Sequence, residues 1–288
     1  MEINWKNLIT RTISGAVLVL LIVCAVVFGT VSVYSNILFG VLFSFIMVVC
    51  QKEFLNITTK ENASINIFFA IIPSLFLLWG TVLDGINVID GLNNLYTISD
   101  LFIFLYAVLL IIYFVASFFI KSEAVNFKYI IVSMIYIAIP FALYTNIELS
   151  SEESLPIALG LFLIIWGNDT FAYLVGSMIG KHKMFPTISP KKSWEGFVGG
   201  MIGSLVIGAL IYHFSGKSIV IWLLFAVIIS LFSTFGDLFE SIIKRKFEVK
   251  DSGNIIPGHG GMLDRFDSFL FAAPAAAAFY WIFWPNFF

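Results

Sequence analysis

Charge and cysteine are what this sequence has least of. Its 288 residues include 16 basic and 18 acidic side chains, 12% in all, where a soluble domain carries about 25%. Such a domain lacks the buried volume for a chain that is 60% hydrophobic and 17% aromatic, with 32 Phe. Scarce charge therefore excludes a water-soluble enzyme, and the apolar excess excludes a disordered chain. The two cysteines, Cys24 and Cys50, lie in apolar runs with no Cys-x-x-Cys or Cys/His cluster. They point to neither a zinc site nor a secreted disulfide scaffold, and read as small packing residues. The net charge of −2 is uninformative about nucleic acid, and none is expected as a partner.

What remains is a polytopic all-α membrane protein. A span needs roughly 20 mostly apolar residues to cross about 30 Å of hydrocarbon. Nine segments qualify: 12–30, 32–50, 65–83, 101–120, 129–147, 155–179, 196–214, 219–239 and 268–286. The first has too long an apolar run for a signal peptide and no Ala-x-Ala-like exit, so a retained span is expected. The chain divides into an N-terminal half, 1–150, with about five helices, and a second half, 151–288, with about four. The basic residues set the orientation. With the N-terminus inside, the inner segments hold Lys6, Arg11, Lys52, Lys60, Lys121, Lys128, Lys181, Lys183, Lys191, Lys192, Lys244, Arg245, Lys246, Lys250 and Arg265. Only Lys217 falls outside. That asymmetry predicts a cytoplasmic N-terminus, an outer C-terminus and residence in the cell (cytoplasmic) membrane. The two longest inner loops, 180–195 and 240–267, are crowded with polar groups, so the site is expected at the cytoplasmic face.

Within the stretch GDLFESIIKRKFEVKDSGNIIPGHGGMLDRFD, Asp237, Ser241 and Lys244 recur at i, i+4 and i+7, one face of a helix. Gly258-His259-Gly260-Gly261 follows, a backbone able to approach a phosphate closely. Asp264, Arg265 and Asp267 open the last span. Carboxylates without thiolates suit Mg²⁺, which also accepts substrate phosphate oxygens. Two Asp from different segments, flanked by Lys and Arg, describe phosphoryl or nucleotidyl transfer. The bland alternative is a solvated loop with Asp267 or Ser268 capping the last helix.

Asp169 lies inside the sixth span, roughly 16 Å from its inner end at about 1.5 Å per residue. At that depth it is either functional or a hydrogen-bonded lock between helices. Lys181 and Lys183, then Lys191, Lys192 and Ser193 beside Trp194, could hold lipid phosphate or a nucleotide triphosphate. They could equally anchor the inner face, with Ser193 capping the seventh span and Glu195 favoured in its first turn. Gly176-x-x-x-Gly180-Lys181 is not a P-loop, because one spacer is missing and His182 stands where Ser or Thr must bind Mg²⁺. It and Gly199-x-x-x-Gly203 read as helix-packing patterns.

These residues resemble a known family, the phosphatidate cytidylyltransferases, or CDP-diacylglycerol synthases. The family's motif is matched by Ser241, Ile243, Lys244, Arg245, Lys250, Asp251, Gly253, Pro257, His259, Gly260, Gly261, Asp264, Arg265 and Asp267, with no departure across 27 positions. Asp169-Thr170-Phe171-Ala172-Tyr173 and Ser189 through Gly196 resemble its second block, with one departure at Ser177, where several relatives are basic. The resemblance covers about 155–288. It implies the reaction CTP + phosphatidate → CDP-diacylglycerol + pyrophosphate, dependent on Mg²⁺, with K⁺ the candidate for a second cation. Asp237 and Asp264 would be the principal metal ligands, and Ser241 and Lys244 would bind phosphate. Asp169, Lys191, Lys192, Ser193, Arg245, Lys250, His259, Gly260, Gly261, Arg265 and Asp267 would line the substrates. CTP would come from the cytoplasm and phosphatidate from among the membrane lipids. A homodimer is compatible with the sequence and not specified by it. A CDP-archaeol synthase, a polyprenol kinase or a lipid transporter are the alternatives.

Overall fold

The structure, a computed structural model, describes residues 5–29, 31–90, 96–120, 122, 124–150, 155–215, 217–258 and 260–284. It is all-α apart from one two-stranded ribbon among these residues. The helices are α1 (Trp5–Phe28), α2 (Val33–Thr59), α3 (Ala63–Asp90), α4 (Tyr96–Phe119), α5 (Phe127–Ser133), α6 (Ile139–Ser150), α7 (Leu155–Ile179), α8 (Trp194–Ser215), α9 (Ile219–Lys246) and α10 (Leu263–Phe283). Among the described residues, eight helical segments are long and apolar enough to cross a membrane, one being Phe127–Ser150, which joins α5 to α6. Thr12–Phe28 of α1 is a shorter apolar helix. Each expected span from the second to the ninth overlaps one of the eight long segments, and the expected first span overlaps α1.

The chain forms two units. The first comprises Met1–Glu152 and Phe247–Phe266. Lipid is as apolar as Leu, so close packing and interhelical hydrogen bonds hold such helices together. In this unit Phe39 stacks on Phe43 at 4.2 Å and Phe43 on Tyr144 at 5.3 Å, tying α2 to α6. Gln51 donates to Ser74 at 2.7 Å, a buried bond between α2 and α3. A π-helical segment, Met134–Ala138, joins α5 to α6 just before Pro140. Pro140 has no N–H to give to the ladder, and one wide turn accommodates that gap.

The second unit comprises Glu153–Lys246 and Asp267–Phe288. Its tightest seam is α7 on α8. A Cβ at Gly199 would stand 2.5 Å from Val175, and one at Gly203 would stand 2.5 Å from the Phe171 ring. The small-residue spacing is therefore a packing device, as its pattern implies. Gly180 belongs to the same seam, where a Cβ would come within 2.5 Å of the Ser193 hydroxyl. Loop 180–195 is more ordered than its composition suggests. Strands β1 (Lys183–Phe185) and β2 (Ser189–Ser193) pair antiparallel, and β2 leads directly into α8. The Trp194 amide donates to the His182 carbonyl at 2.9 Å.

Candidate functional site

The last turns of helix α9 carry five charged groups, Asp237, Glu240, Lys244, Arg245 and Lys246. The i, i+4 spacing of Asp237 and Ser241 brings the Ser241 hydroxyl to 3.4 Å from Asp237 Oδ1. The other oxygen, Oδ2, meets Lys192 Nζ at 2.6 Å, so β2 delivers a lysine to α9. Lys244 turns to Glu240 one helical turn back, forming an ion pair whose carboxylate side chain is 1% exposed. Asp267, on α10, interacts electrostatically with Asp237, Glu240 and Asp169. Its Oδ1 also accepts from the Ser268 amide at 2.6 Å. Four carboxylates are thus concentrated in one unit, with Lys192 and Lys244 paired against two of them.

Glu240 was not singled out by the sequence, because its acidity is masked by apolar neighbours, although it borders the face of Asp237, Ser241 and Lys244. The available signal was its position four before Lys244, the favourable order for a helical ion pair.

A hydrogen-bonded lock between helices lies next to Asp169. Asn168 is buried and bridges α7 to α9: its Oδ1 accepts from Ser230 Oγ at 2.7 Å and its Nδ2 donates to Ser233 Oγ at 3.1 Å. Asp169 itself is exposed, with its Oδ1 at 3.4 Å from Asn168 Nδ2. Asn168 thus locks α7 to α9.

At the junction of β2 and α8, Ser193 Oγ accepts the Gly196 amide at 3.1 Å, the capping expected for Ser193. Glu195 Oε1 lies 2.6 Å from His182 Nδ1. Arg245 Nε donates to the Ile188 carbonyl at the ribbon turn, at 3.2 Å. Lys191 is exposed.

The remaining expected residues lie in the first unit, in the segment leading into α10. This helix starts at Leu263, earlier than its apolar run suggests, so Asp267 and Ser268 are inside the helix rather than at its cap. Counting apolar residues starts the helix late, because the first turn holds Asp264, where an acidic side chain is favoured by the helix dipole. The Asp264 carboxylate accepts the Gly261 amide at 2.8 Å and the Ser252 amide at 3.0 Å. Gly260 has φ +85°, and a Cβ there would stand 2.8 Å from Asp264 Oδ2. The close approach permitted by Gly260 and Gly261 is thus to the carboxylate of Asp264 and, at Gly261, to Ser252 and Glu53. Lys250 and Arg265 are exposed. His259 lies outside the described residues.

Glu53, on α2, is a second residue that sequence reading missed. It is 6% exposed and accepts from the Met262 and Leu263 amides at 3.0 and 2.8 Å and from Ser252 Oγ at 3.1 Å. Its only sequence signal was an acidic residue at the polar end of an apolar run.

Among the described residues, no three His, Cys, Asp or Glu side chains converge closely enough to hold a metal ion by themselves. The arrangement offers paired carboxylates and ammonium groups, suited to a substrate that brings anionic oxygens of its own.

Comparison with known proteins agrees with this chemistry. The 48% identity to a phosphatidate cytidylyltransferase of Staphylococcus aureus (strain COL) extends over 146 residues, 50% of this chain and 55% of that one. Proteins of the same name from Staphylococcus saprophyticus and Staphylococcus haemolyticus match at 48% over 147 residues and 47% over 146. In each case the matched stretch covers 50% of this chain and 55% of the relative, so the likeness spans about half the length of these relatives. The model described as "Cytidylyltransferase family" matches residues 9–283, nearly end to end, and the chain therefore belongs to the cytidylyltransferase family.

Proposed function

We propose that this protein is a phosphatidate cytidylyltransferase, converting CTP and phosphatidate to CDP-diacylglycerol and pyrophosphate. The observation that carries the reading is the α9 constellation: Asp237 paired with Lys192 and bonded to Ser241, and Glu240 paired with Lys244. The family membership and the names of the Staphylococcus relatives support it.

A phosphatidate oxygen forms a bond to the α-phosphorus of CTP, and the bond from that phosphorus to the bridging oxygen of the β-phosphate breaks. Pyrophosphate leaves with the electron pair. The lipid phosphate is already an anionic nucleophile, so no Ser/His/Asp triad is needed. Alignment and charge stabilisation do the catalysis. Lys192 and Lys244 are positioned by their carboxylate partners to receive phosphate oxygens, with Ser241 donating beside them.

Mg²⁺ fits the donor set. Asp237 in the second unit and Asp264 in the first each offer hard carboxylate oxygens, and the acidic groups around Asp267 outnumber the lysines paired with them. Mg²⁺ usually keeps several waters and takes substrate phosphate oxygens, so it needs only one or two protein carboxylates. When bound, Mg²⁺ would supply neutralisation of the triphosphate charge. The inner-face excess of Lys and Arg supports a site open to the cytoplasm, where CTP is found, with lipid entering laterally.

The test is direct. Purified protein in detergent receives labelled CTP with phosphatidate, an archaeal-type lipid phosphate or a polyprenol, with and without Mg²⁺. CDP-diacylglycerol and pyrophosphate are expected with phosphatidate and Mg²⁺ only. A nucleotide-lipid product from another acceptor alone, or none from any, would overturn the reading.

A further inference from the structure

Ser252, Met262 and Leu263 are all held from outside their own segment by one side chain. Glu53 Oε1 accepts the Met262 amide, and Oε2 accepts both the Leu263 amide and the Ser252 hydroxyl. Met262 and Leu263 begin α10, so these amides are among the unpaired donors of a helix N-terminus. The usual partner is a side chain a few residues upstream. Here it is a carboxylate from another helix, 209 and 210 positions away.

The Ser252 hydroxyl extends the arrangement. It donates to Glu53 and accepts from the Asp264 amide at 3.2 Å, while the Ser252 amide donates to the Asp264 carboxylate at 3.0 Å. The Gly261 amide fixes the same carboxylate from the other side. Gly253 and Gly261 make room for this. A Cβ at Gly253 would lie 2.8 Å from Glu53 Cδ, and one at Gly261 would lie 2.5 Å from Glu53 Oε2. Glu53 therefore grips the backbone that orients Asp264.

We propose that Glu53 is a positioning residue: through Ser252, Met262 and Leu263 it fixes the carboxylate of Asp264 in the orientation that the reaction uses. This rests on the cytidylyltransferase reading above. Glu53→Gln keeps the shape but leaves one acceptor oxygen for three donors, and turns an NH₂ group toward one of them. Supporting partners of this kind change activity or metal affinity by about 10–100-fold when removed.

Two measurements on the full chain in detergent micelles test the proposal. The first is amide hydrogen exchange, which needs no activity. In Glu53→Gln, exchange at Ser252, Gly261, Met262 and Leu263 is expected to accelerate about tenfold or more. The control Gln51→Met disturbs the same helix through its bond to Ser74 and is expected to leave these amides unchanged. The second is turnover. Glu53→Gln should lower kcat about tenfold or more and raise the Mg²⁺ concentration for half-maximal rate, with KM for phosphatidate changed less than about threefold. Unchanged exchange in Glu53→Gln, or equal acceleration in Gln51→Met, would overturn the anchoring. Accelerated exchange with unchanged kcat and Mg²⁺ dependence would overturn the link to Asp264 function. If the wild-type chain makes no nucleotide-lipid, the functional reading falls by itself, and the exchange measurement still decides whether Glu53 holds Asp264.

Discussion

Asn168 offers a quantitative test of how the second unit is held together. Replacing it with Ala removes both bonds between α7 and α9, the one to Ser230 Oγ and the one to Ser233 Oγ. Interhelical hydrogen bonds in membranes average about 0.6 kcal/mol and reach about 1.7. Two of them set the loss at about 1–3 kcal/mol. Ser233 also donates to the Ser230 carbonyl at 3.2 Å, so its hydroxyl stays satisfied and the value should fall in the lower half of that range. Asn168→Asp is the sharper variant. It keeps an acceptor for Ser230 but cannot donate to Ser233, and it sets a carboxylate where the amide nitrogen now lies 3.4 Å from Asp169 Oδ1. A second negative charge there is uncompensated, so Asn168→Asp should be less stable than Asn168→Ala despite its nearer shape. Reversible unfolding in mixed micelles would rank the variants by midpoint. Asn168→Asp equal to wild type, or above Asn168→Ala, would refute the reasoning.

Three other outcomes are expected. Asp237→Asn and Asp264→Asn each abolish CDP-diacylglycerol formation while insertion and folding persist, as scored by product analysis and by size-exclusion profile. Asp169→Asn is expected to lower turnover at least about tenfold with stability within about 0.5 kcal/mol of wild type, as for a change of charge at an exposed side chain. Comparing unfolding midpoints with rates checks it, and a stability loss with retained activity would reverse the assignment. Gly203→Ala forces a methyl into the Phe171 ring and destabilises the α7–α8 seam by about 1–3 kcal/mol, measurable in the same unfolding assay.

The long helices were legible in the sequence because a bilayer imposes a length and a composition at once, and both survive in a list of residues. The Gly199-x-x-x-Gly203 seam was legible for a similar reason, since close helix approach demands small residues at fixed spacing. The ribbon of β1 and β2 was not. Its second strand, Ser-Pro-Lys-Lys-Ser, has no apolar alternation, and it is extended because Lys183–Phe185 lies across the turn to pair with it. The candidate site was legible where its residues are local, as with Asp237 and Ser241. Lys192 beside Asp237 and Glu53 beside Ser252 are contacts across long stretches of chain, which no spacing encodes. Glu240 was hidden by a subtler effect. The motif drew attention to Asp237, Ser241 and Lys244, and the partner of Lys244 stands at the edge of their face.

The clasp on α10 also imposes an order on biosynthesis. Glu53 emerges more than 200 residues before Met262 and Leu263, its amide partners. At roughly 5–20 residues per second, it waits about 10–40 s for them. A carboxylate destined for burial has to stay hydrated through that interval. The bonds of Glu53 can therefore close only after nearly the whole chain has been made, and the early helices must assemble before this carboxylate has its partners.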